Sequence, residues 1–134
     1  MMLHWTIGLF LLVSAAAFAQ GRTPIVVGCD CTDHVGAMYA TELKEQIARS
    51  SRLSLVSGGG ARTVAATQGN AGYTLDIISV GMGDGQTAAL SVALTARGVF
   101  LGHVVQTCKR TQVEECARRT IAAMDGELAT VARR

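Results

Sequence analysis

The chain has 134 residues, of which 49% are hydrophobic and 4% aromatic, and its formal net charge at pH 7 is +2. This length is typical of a single domain. The mild positive charge does not predict binding to nucleic acid or to an anionic membrane. The scarcity of aromatic residues excludes a platform for stacking nucleic-acid bases.

The first nineteen residues have the pattern of a secretory signal peptide. An apolar run over residues 1–14 is followed by Ala17-Phe18-Ala19, a cleavage site of the A-x-A type. A membrane-spanning helix needs about 20 apolar residues, and this run is shorter. A retained membrane anchor is the alternative, because the amino-terminal region of the leader contains no Lys or Arg, whereas signal peptides usually carry a positive charge there. We therefore expect residues 1–19 to be removed and residues 20–134 to form one exported domain, periplasmic or secreted, with no membrane span.

A strand and a helix are predicted after the leader. Residues 23–29 predict a short strand, because an apolar run follows Pro24 where a missing N–H is tolerated. Thr32 or Asp33 offers an N-cap for a helix over residues 35–50. The apolar stripe of this helix, with a spacing of four residues, consists of Tyr39, Leu43 and Ile47.

A second short strand and a long loop are predicted next. Residues 53–56 are mostly apolar, and three glycines follow directly. Residues 57–72 are rich in Gly and Ala, and we interpret them as a flexible loop that is unusually long for so small a domain.

Three further strands predict an antiparallel meander over residues 73–80, 87–95 and 99–108. Glycines alternate in the segment 81–85, as in a loop that binds phosphate. No helix follows this segment, whereas a dinucleotide fingerprint requires one. We interpret it as a turn, because Asp84-Gly85 is a hairpin signal.

The closing segment predicts a helix. Thr111 and Glu114 have the spacing of a capping box, and Asp125-Gly126 is expected to fray or break the helix near its end. The element order is therefore β-α-β-β-β-β-α. This order predicts an α+β two-layer sandwich, in which two helices cover one face of a mostly antiparallel sheet.

The four cysteines allow three pairings, and an oxidising compartment would let them form disulfides. Cys108 and Cys116 bracket the turn before the last helix, and we expect them to pair. If each of the last three strands reverses direction, Cys108 lies at the opposite end of the sheet from Cys29 and Cys31. Bridged Cα atoms lie within about 7 Å, so cross-pairing would then be disfavoured. Two alternatives remain open. Cys29 and Cys31 could form a tight bridge with each other or, if the strand count differs, pair with Cys108 and Cys116.

The segment from Cys29 to His34 also contains the densest group of metal-ligand types. Two thiolates and the His34 imidazole would suit zinc or copper. No second Cys/His pair follows at ligand spacing, and oxidised cysteines cannot bind a metal. We therefore expect a structural disulfide at Cys29 and Cys31 and no metal or other cofactor, with a redox pair as the alternative.

No catalytic motif is evident in the chain. There is no Gly-x-Ser-x-Gly elbow and no P-loop lysine. We interpret His103 as a surface or hydrogen-bonded histidine. A weak basic cluster near the last helix could bind an anionic partner, although a solvated surface is the default interpretation. It comprises Lys109, Arg110, Arg118 and Arg119.

One resemblance concerns the sequence and another the architecture. The stretch from Val27-Gly28-Cys29-Asp30-Cys31 through 42–51 resembles the opening of small uncharacterised exported proteins of Gram-negative bacteria. Those proteins also carry a later cysteine pair between a strand and a helix. The first helix, the short strand and the meander resemble the amino-terminal domain of TolB-type periplasmic proteins. The resemblance implies contacts with envelope proteins but no known activity.

The sequence thus predicts an exported protein of the cell envelope, most simply a non-enzymatic domain that binds another envelope protein. The alternative is a thiol-redox or metal-handling protein that acts through Cys29-Asp30-Cys31.

Overall fold

The computed structural model describes residues 21–56 and 72–134, which contain five strands and two long helices. A turn of 3-10 helix at Arg110–Gln112 precedes the second helix. The elements are β1 (Thr23–Cys31), α1 (His34–Arg49), β2 (Leu53–Leu55), β3 (Tyr73–Gly81), β4 (Thr87–Ala96), β5 (Val99–Lys109) and α2 (Val113–Ala132). The predicted leader and nearly all of the predicted glycine-rich loop lie outside the described residues.

The strands form one mixed sheet in the order β2-β1-β3-β4-β5. β1 pairs in parallel with both β2 and β3, whereas β3–β4 and β4–β5 are antiparallel. Both helices contribute to the single large apolar core on one face of this sheet. The α+β class, the element order and the placement of both helices on one face are therefore confirmed.

The predicted reversal between the second and third strands is wrong. The chain leaves β2 at the edge of the sheet and enters β3 on the far side of β1, so β3 is parallel to β1. β5 then runs in the same direction as β1, and Cys108 lies at the same end of the sheet as Cys29 and Cys31. Pairing of Cys108 with Cys29 or Cys31 is instead opposed by the distance between β1 and β5 across the sheet. Two strands separate β1 from β5, which amounts to about 14 Å at the usual strand spacing.

The first helix forms as its pattern predicts. The side chain of Asp33 caps the helix by accepting a hydrogen bond from the Gly36 N–H at 2.7 Å. Tyr39, Leu43 and Ile47 are fully buried against the sheet. The stripe of α1 therefore supplies one side of the core, and the alternate residues of β3 and β4 supply the other.

The second helix differs from its prediction at both ends. The predicted capping box is wrong, because Thr111 lies within the 3-10 turn and the N-cap is Gln112, which makes no side-chain cap. The Glu114 carboxylate pairs with Arg118 at 2.9 Å instead of reaching back to the cap. α2 also continues through Gly126, because Met124 and Leu128 pack into the core on both sides of it.

β5 contains a bulge that interrupts its alternation. The register with β4 shifts at Leu94/Thr95, and the extra residue, Leu101, packs against the core. His103 and Val105 therefore lie on one face of the sheet, and Leu101 lies on the other. In residues 21–56 and 72–134, neither helix has the long apolar stretch that crossing a bilayer requires.

Candidate binding surface

One face of the sheet is turned away from the helices, and we call it the open face. Alternation and register assign to its three central rows one residue from each of the last three strands. They are Asp76, Ile78 and Val80 on β3, Ala89, Ser91 and Ala93 on β4, and His103, Val105 and Thr107 on β5.

Large apolar side chains are exposed on this open face. The exposed fractions are 54% for Ile78, 60% for Val80 and 70% for Val105. Ile78 and Val105 lie in one cross-strand row, on either side of Ser91. In the next row, Val80 lies opposite Ala89. Small residues on β4 therefore lie between larger apolar residues on β3 and β5, which makes a shallow trough.

An exposed sheet face usually carries polar residues, so this cluster is unusual. Contiguous exposed apolar side chains mark sites of protein–protein contact more often than isolated ones do. The open face is therefore the candidate binding surface of this chain.

Polar groups border the apolar part of the open face. Ser91 Oγ lies 2.7 Å from His103 Nε2, and the ring of Phe100 meets the His103 ring edge-on with centroids 6.2 Å apart. Asp76 lies in the same row as His103 but on the far side of Ala93. Partial burial raises the pKa of the Asp76 carboxyl above its usual value.

The Ser91–His103 pair does not have the geometry of an activated nucleophile. Within the described ranges, no carboxylate bonds to the other nitrogen of His103, and a catalytic base needs such an orienting group. The pair is also exposed, whereas catalytic pairs lie in clefts. His103 is hydrogen-bonded at the surface, as its sequence pattern predicts.

The four cysteines lie at one end of the sheet, which we call the cysteine end. The structure pairs Cys29 with Cys31 and Cys108 with Cys116, with Cα–Cα distances of 5.4 and 6.1 Å. Cys108 and Cys116 are fully buried, whereas Cys29 and Cys31 are partly exposed. The first pair therefore packs against the border of the core and is partly exposed, and the second joins β5 to α2 within the core.

The candidate metal ligands do not converge. Among the described residues, no three His, Cys, Asp or Glu side chains come together as a metal site would require. Cys29 and Cys31 are joined to each other, and His34 is exposed at the start of α1.

A buried polar contact at the cysteine end was missed by the sequence analysis. The hydroxyl of Ser79, which is 2% exposed, donates to Asp33 Oδ2. Burial alone would raise the pKa of Asp33, but hydrogen bonds from Ser79 and from the Gly36 N–H lower it below its usual value. Ser79 follows Leu75 and Ile77 on the core-facing side of β3. A polar residue at a core-facing position was the sequence signal that could have indicated this contact.

The predicted basic cluster is partly neutralised. Arg118 pairs with Glu114 at 2.9 Å and with Glu115 at 2.6 Å. Arg119 reaches the sulfur of Cys116 at 3.7 Å. Lys109 lies on the open-face side of β5, opposite Thr87, and Arg110 lies in the 3-10 turn.

A cleft of about 450 Å³ opens between the first turns of the two helices. Its volume is within the usual range for small-molecule sites. Its two acidic side chains are already engaged, since Glu42 accepts from Gln46 at 2.9 Å and Glu114 pairs with Arg118. The lining residues are His34, Ala37, Met38, Thr41, Glu42, Val113 and Glu114. This arrangement provides little for specific recognition.

No protein-family model and no curated protein matches this chain. Among solved structures, it is similar to a PelC dodecamer from Paraburkholderia phytofirmans, with 13% identity, a TM-score of 0.46, and coverage of 72% of this chain and 81% of that chain. It is also similar to the hypothetical protein CT253 from Chlamydia trachomatis, with 10% identity, a TM-score of 0.43, and coverage of 82% and 96%. Likeness at these TM-scores decides neither the fold nor the function.

Proposed function

We propose that this chain is an exported, non-enzymatic domain of the cell envelope that binds another envelope protein through its open face. The observation that carries the proposal is the apolar cluster of Ile78, Val80 and Val105, each more than half exposed. The partner is a protein with an apolar surface, because the center of the trough offers only side chains of Ala and Ser beside these three.

Export is supported by the leader pattern and by the cysteine pairs. An oxidising compartment is where disulfides form and persist, and both pairs lie within the distance range of native disulfides. The Cys108–Cys116 bridge would tie α2 to the edge strand β5. In a small domain with few aromatic residues, such a covalent link supplements a thin core.

The export part of the proposal is tested by cell fractionation and intact-mass analysis. We expect the product in the periplasm or medium, shortened by the leader and with no free thiol. Peptide mapping should recover Cys29 linked to Cys31 and Cys108 linked to Cys116. A full-length product inside the cytosol with four free thiols would refute export.

The binding part is tested by a paired substitution. Ile78→Asp with Val80→Asp places two charges in the trough, at positions where the folded domain has space because both side chains are exposed. In chemical crosslinking of intact cells, we expect this double variant to give no specific adduct with the envelope partner. The matched control is Ala48→Asp with Ala129→Asp, which adds the same charge at exposed positions of the two helices. Equal adduct from both variants would refute the open face as the binding site.

A thiol-redox role is the second candidate, and the partial exposure of Cys29 and Cys31 favours it. A dithiol partner would attack one sulfur of the bridge, form a mixed disulfide and leave with its own disulfide. Cys29 and Cys31 would then both be thiols. Incubation with a reduced dithiol protein, followed by thiol counting, tests this role. Unchanged exchange in a Cys29→Ser/Cys31→Ser variant would refute it.

A further inference from the structure

β5 is a long strand at the edge of the sheet. It has 11 residues and pairs with β4 alone among the described strands. The opposite edge, β2, has only three residues. A long edge strand exposes a row of backbone N–H and C=O groups that can pair with another chain.

The phase of the β4–β5 ladder identifies which backbone groups point outward. The Arg110 N–H donates to the Gln86 carbonyl at 2.7 Å, which continues the register of Thr87 with Lys109. In an antiparallel ladder, alternate residues direct both backbone groups to the same neighbour. The outward groups of β5 therefore belong to the residues of the open-face phase. These are His103, Val105, Thr107 and Lys109.

This edge has little protection against pairing. Natural edge strands are usually protected by charges, by proline or by a bulge. β5 has no proline, and its only charged residue is Lys109, at its end. The bulge at Leu101 restricts regular pairing to the part of β5 that follows it.

We propose that two copies of this chain form a symmetric dimer by antiparallel pairing of their β5 strands, with the two-fold axis at Val105. Val105 then lies beside Val105 of the second copy, so the most exposed large apolar side chain gains an apolar neighbour. His103 faces Thr107 of the second copy. An axis at Lys109 would instead place two like charges opposite each other, which is unfavourable.

The helix above β5 provides an independent argument for the same axis. α2 follows β5 closely, since Gln106 Nε2 donates to Thr120 Oγ1 at 2.9 Å and a Cβ on Gly102 would lie 2.8 Å from Glu127 Cγ. The part of α2 between these two contacts, which includes Ala122 and Ala123, therefore lies above the middle of β5, near Val105.

The side of α2 that would meet the second copy is made of small residues. At 100° per residue, this side lies opposite the one that carries Ala117, Ile121 and Leu128 toward α1. Its members are exposed and, in the middle of the helix, small. They are Ala122, Ala123, Gly126 and Thr130, with Glu115 and Arg119 toward the start of the helix. Pairing of the two β5 strands brings the two α2 helices side by side, and small side chains permit the close approach that this requires. The axis places Ala122 near Ala123 of the second copy and Arg119 near its Gly126, so no like charges meet.

Light scattering and sedimentation equilibrium of the purified chain test the dimer. We expect twice the chain mass, with a dissociation constant raised more than about tenfold by Val105→Lys, which opposes two like charges at the axis. The control is Val80→Lys, which adds the same charge at an exposed position on the interior strand β3 and should leave the dimer unchanged. A second pair is Ala123→Leu, which should dissociate the dimer, and Ala48→Leu at an exposed position of α1, which should not.

Several outcomes would overturn the dimer. They are a chain that is monomeric at every concentration, an assembly larger than two, or a dimer that Val105→Lys and Ala123→Leu leave intact. Failure of the dimer leaves the proposed function standing, because that function is tested by substitutions at Ile78 and Val80 and is measured by crosslinking to a different protein.

Discussion

Tyr39 Oη lies 2.6 Å from Thr120 Oγ1, and this hydrogen bond joins α1 to α2 inside the core. Gln106 on β5 donates to the same threonine oxygen at 2.9 Å and to the Cys116 carbonyl at 3.1 Å. Three elements thus meet at one buried hydroxyl. Among the described residues, no buried side-chain nitrogen or oxygen lacks a hydrogen-bond partner. This network fixes α2 above the edge strand and therefore sets the shape of the domain at β5.

Tyr39→Phe removes one hydrogen bond of this network and leaves Thr120 with its other partners. We expect a loss of about 1 kcal/mol in the free energy of unfolding, measured with urea. Thr120→Val removes the central hydroxyl and leaves both Tyr39 and Gln106 without it, so we expect a larger loss of about 2–3 kcal/mol. Equal losses from the two variants would contradict the central role of Thr120.

The same contact predicts a difference at high pH. Burial raises the pKa of Tyr39 from 10.0 to about 12, although the hydrogen bonds of Thr120 and Gln106 oppose this shift. The folded state thus holds the proton more tightly than the unfolded state. Stability is complete below the unfolded pKa and is lost as the pH rises through the folded pKa. Wild-type protein should therefore lose more stability than Tyr39→Phe across this interval, and parallel curves would contradict the burial of the hydroxyl.

Gly36→Ala should destabilise the protein although alanine favours helices. A Cβ at Gly36 would collide with the Cβ and Oγ of Ser79 and approach Asp33 Oδ2 to 2.9 Å. We expect a loss of about 1–3 kcal/mol, because overpacking of a rigid site costs this much. Ser79→Gly removes both colliding atoms, so Gly36→Ala should cost less in that background. A double-mutant cycle with no coupling between the two positions would contradict the close packing of α1 on β3.

The two cysteine pairs should differ in their effect on stability. By the loss of chain entropy, the bridge across eight residues contributes about 2.5 kcal/mol and the bridge across two residues about 1.2 kcal/mol. Cys108→Ser/Cys116→Ser should therefore lower the midpoint of thermal unfolding more than Cys29→Ser/Cys31→Ser. It also removes a fully buried contact between β5 and α2. The opposite order would show that the exposed pair carries the structural role.

Asp33→Ala should lower stability at neutral pH but not in strong acid. The carboxylate caps α1 and accepts from Ser79, and an N-cap is worth about 1 kcal/mol. Since the pKa of Asp33 is lowered in the folded state, its contribution is present above the unfolded pKa and is lost as the pH falls through the folded pKa. Urea unfolding at several pH values measures this. A difference from wild type that persists in strong acid would contradict the role of the charged carboxylate.

The local elements of the fold are predictable from the sequence because periodicity and caps are local signals. The stripe of Tyr39, Leu43 and Ile47 and the cap at Asp33 require only neighbouring residues. The direction of β3 is not a local property, because it depends on which side of β1 the chain reaches after β2. The predicted start of α2 at Thr111 was wrong for a similar reason, since the 3-10 turn lets the chain leave β5 before the helix begins.

The candidate binding surface could be predicted only in part. Alternation in β3 separates Leu75 and Ile77 from the opposite phase, which contains Asp76, Ile78 and Val80. The same pattern does not tell whether Ile78 and Val80 are covered by a second layer. Val105 is harder still, because the bulge at Leu101 changes the face of the residues around it.

Site-specific photocrosslinking in living cells tests the open face most directly. A photoreactive residue at Val80 lies within the trough, and one at Ala48 lies on an exposed part of α1 as the matched control. We predict one strong adduct with an envelope protein from position 80 and little or none from position 48. Equal labelling from both positions, or no adduct from position 80 in cells that export the protein, would contradict the account.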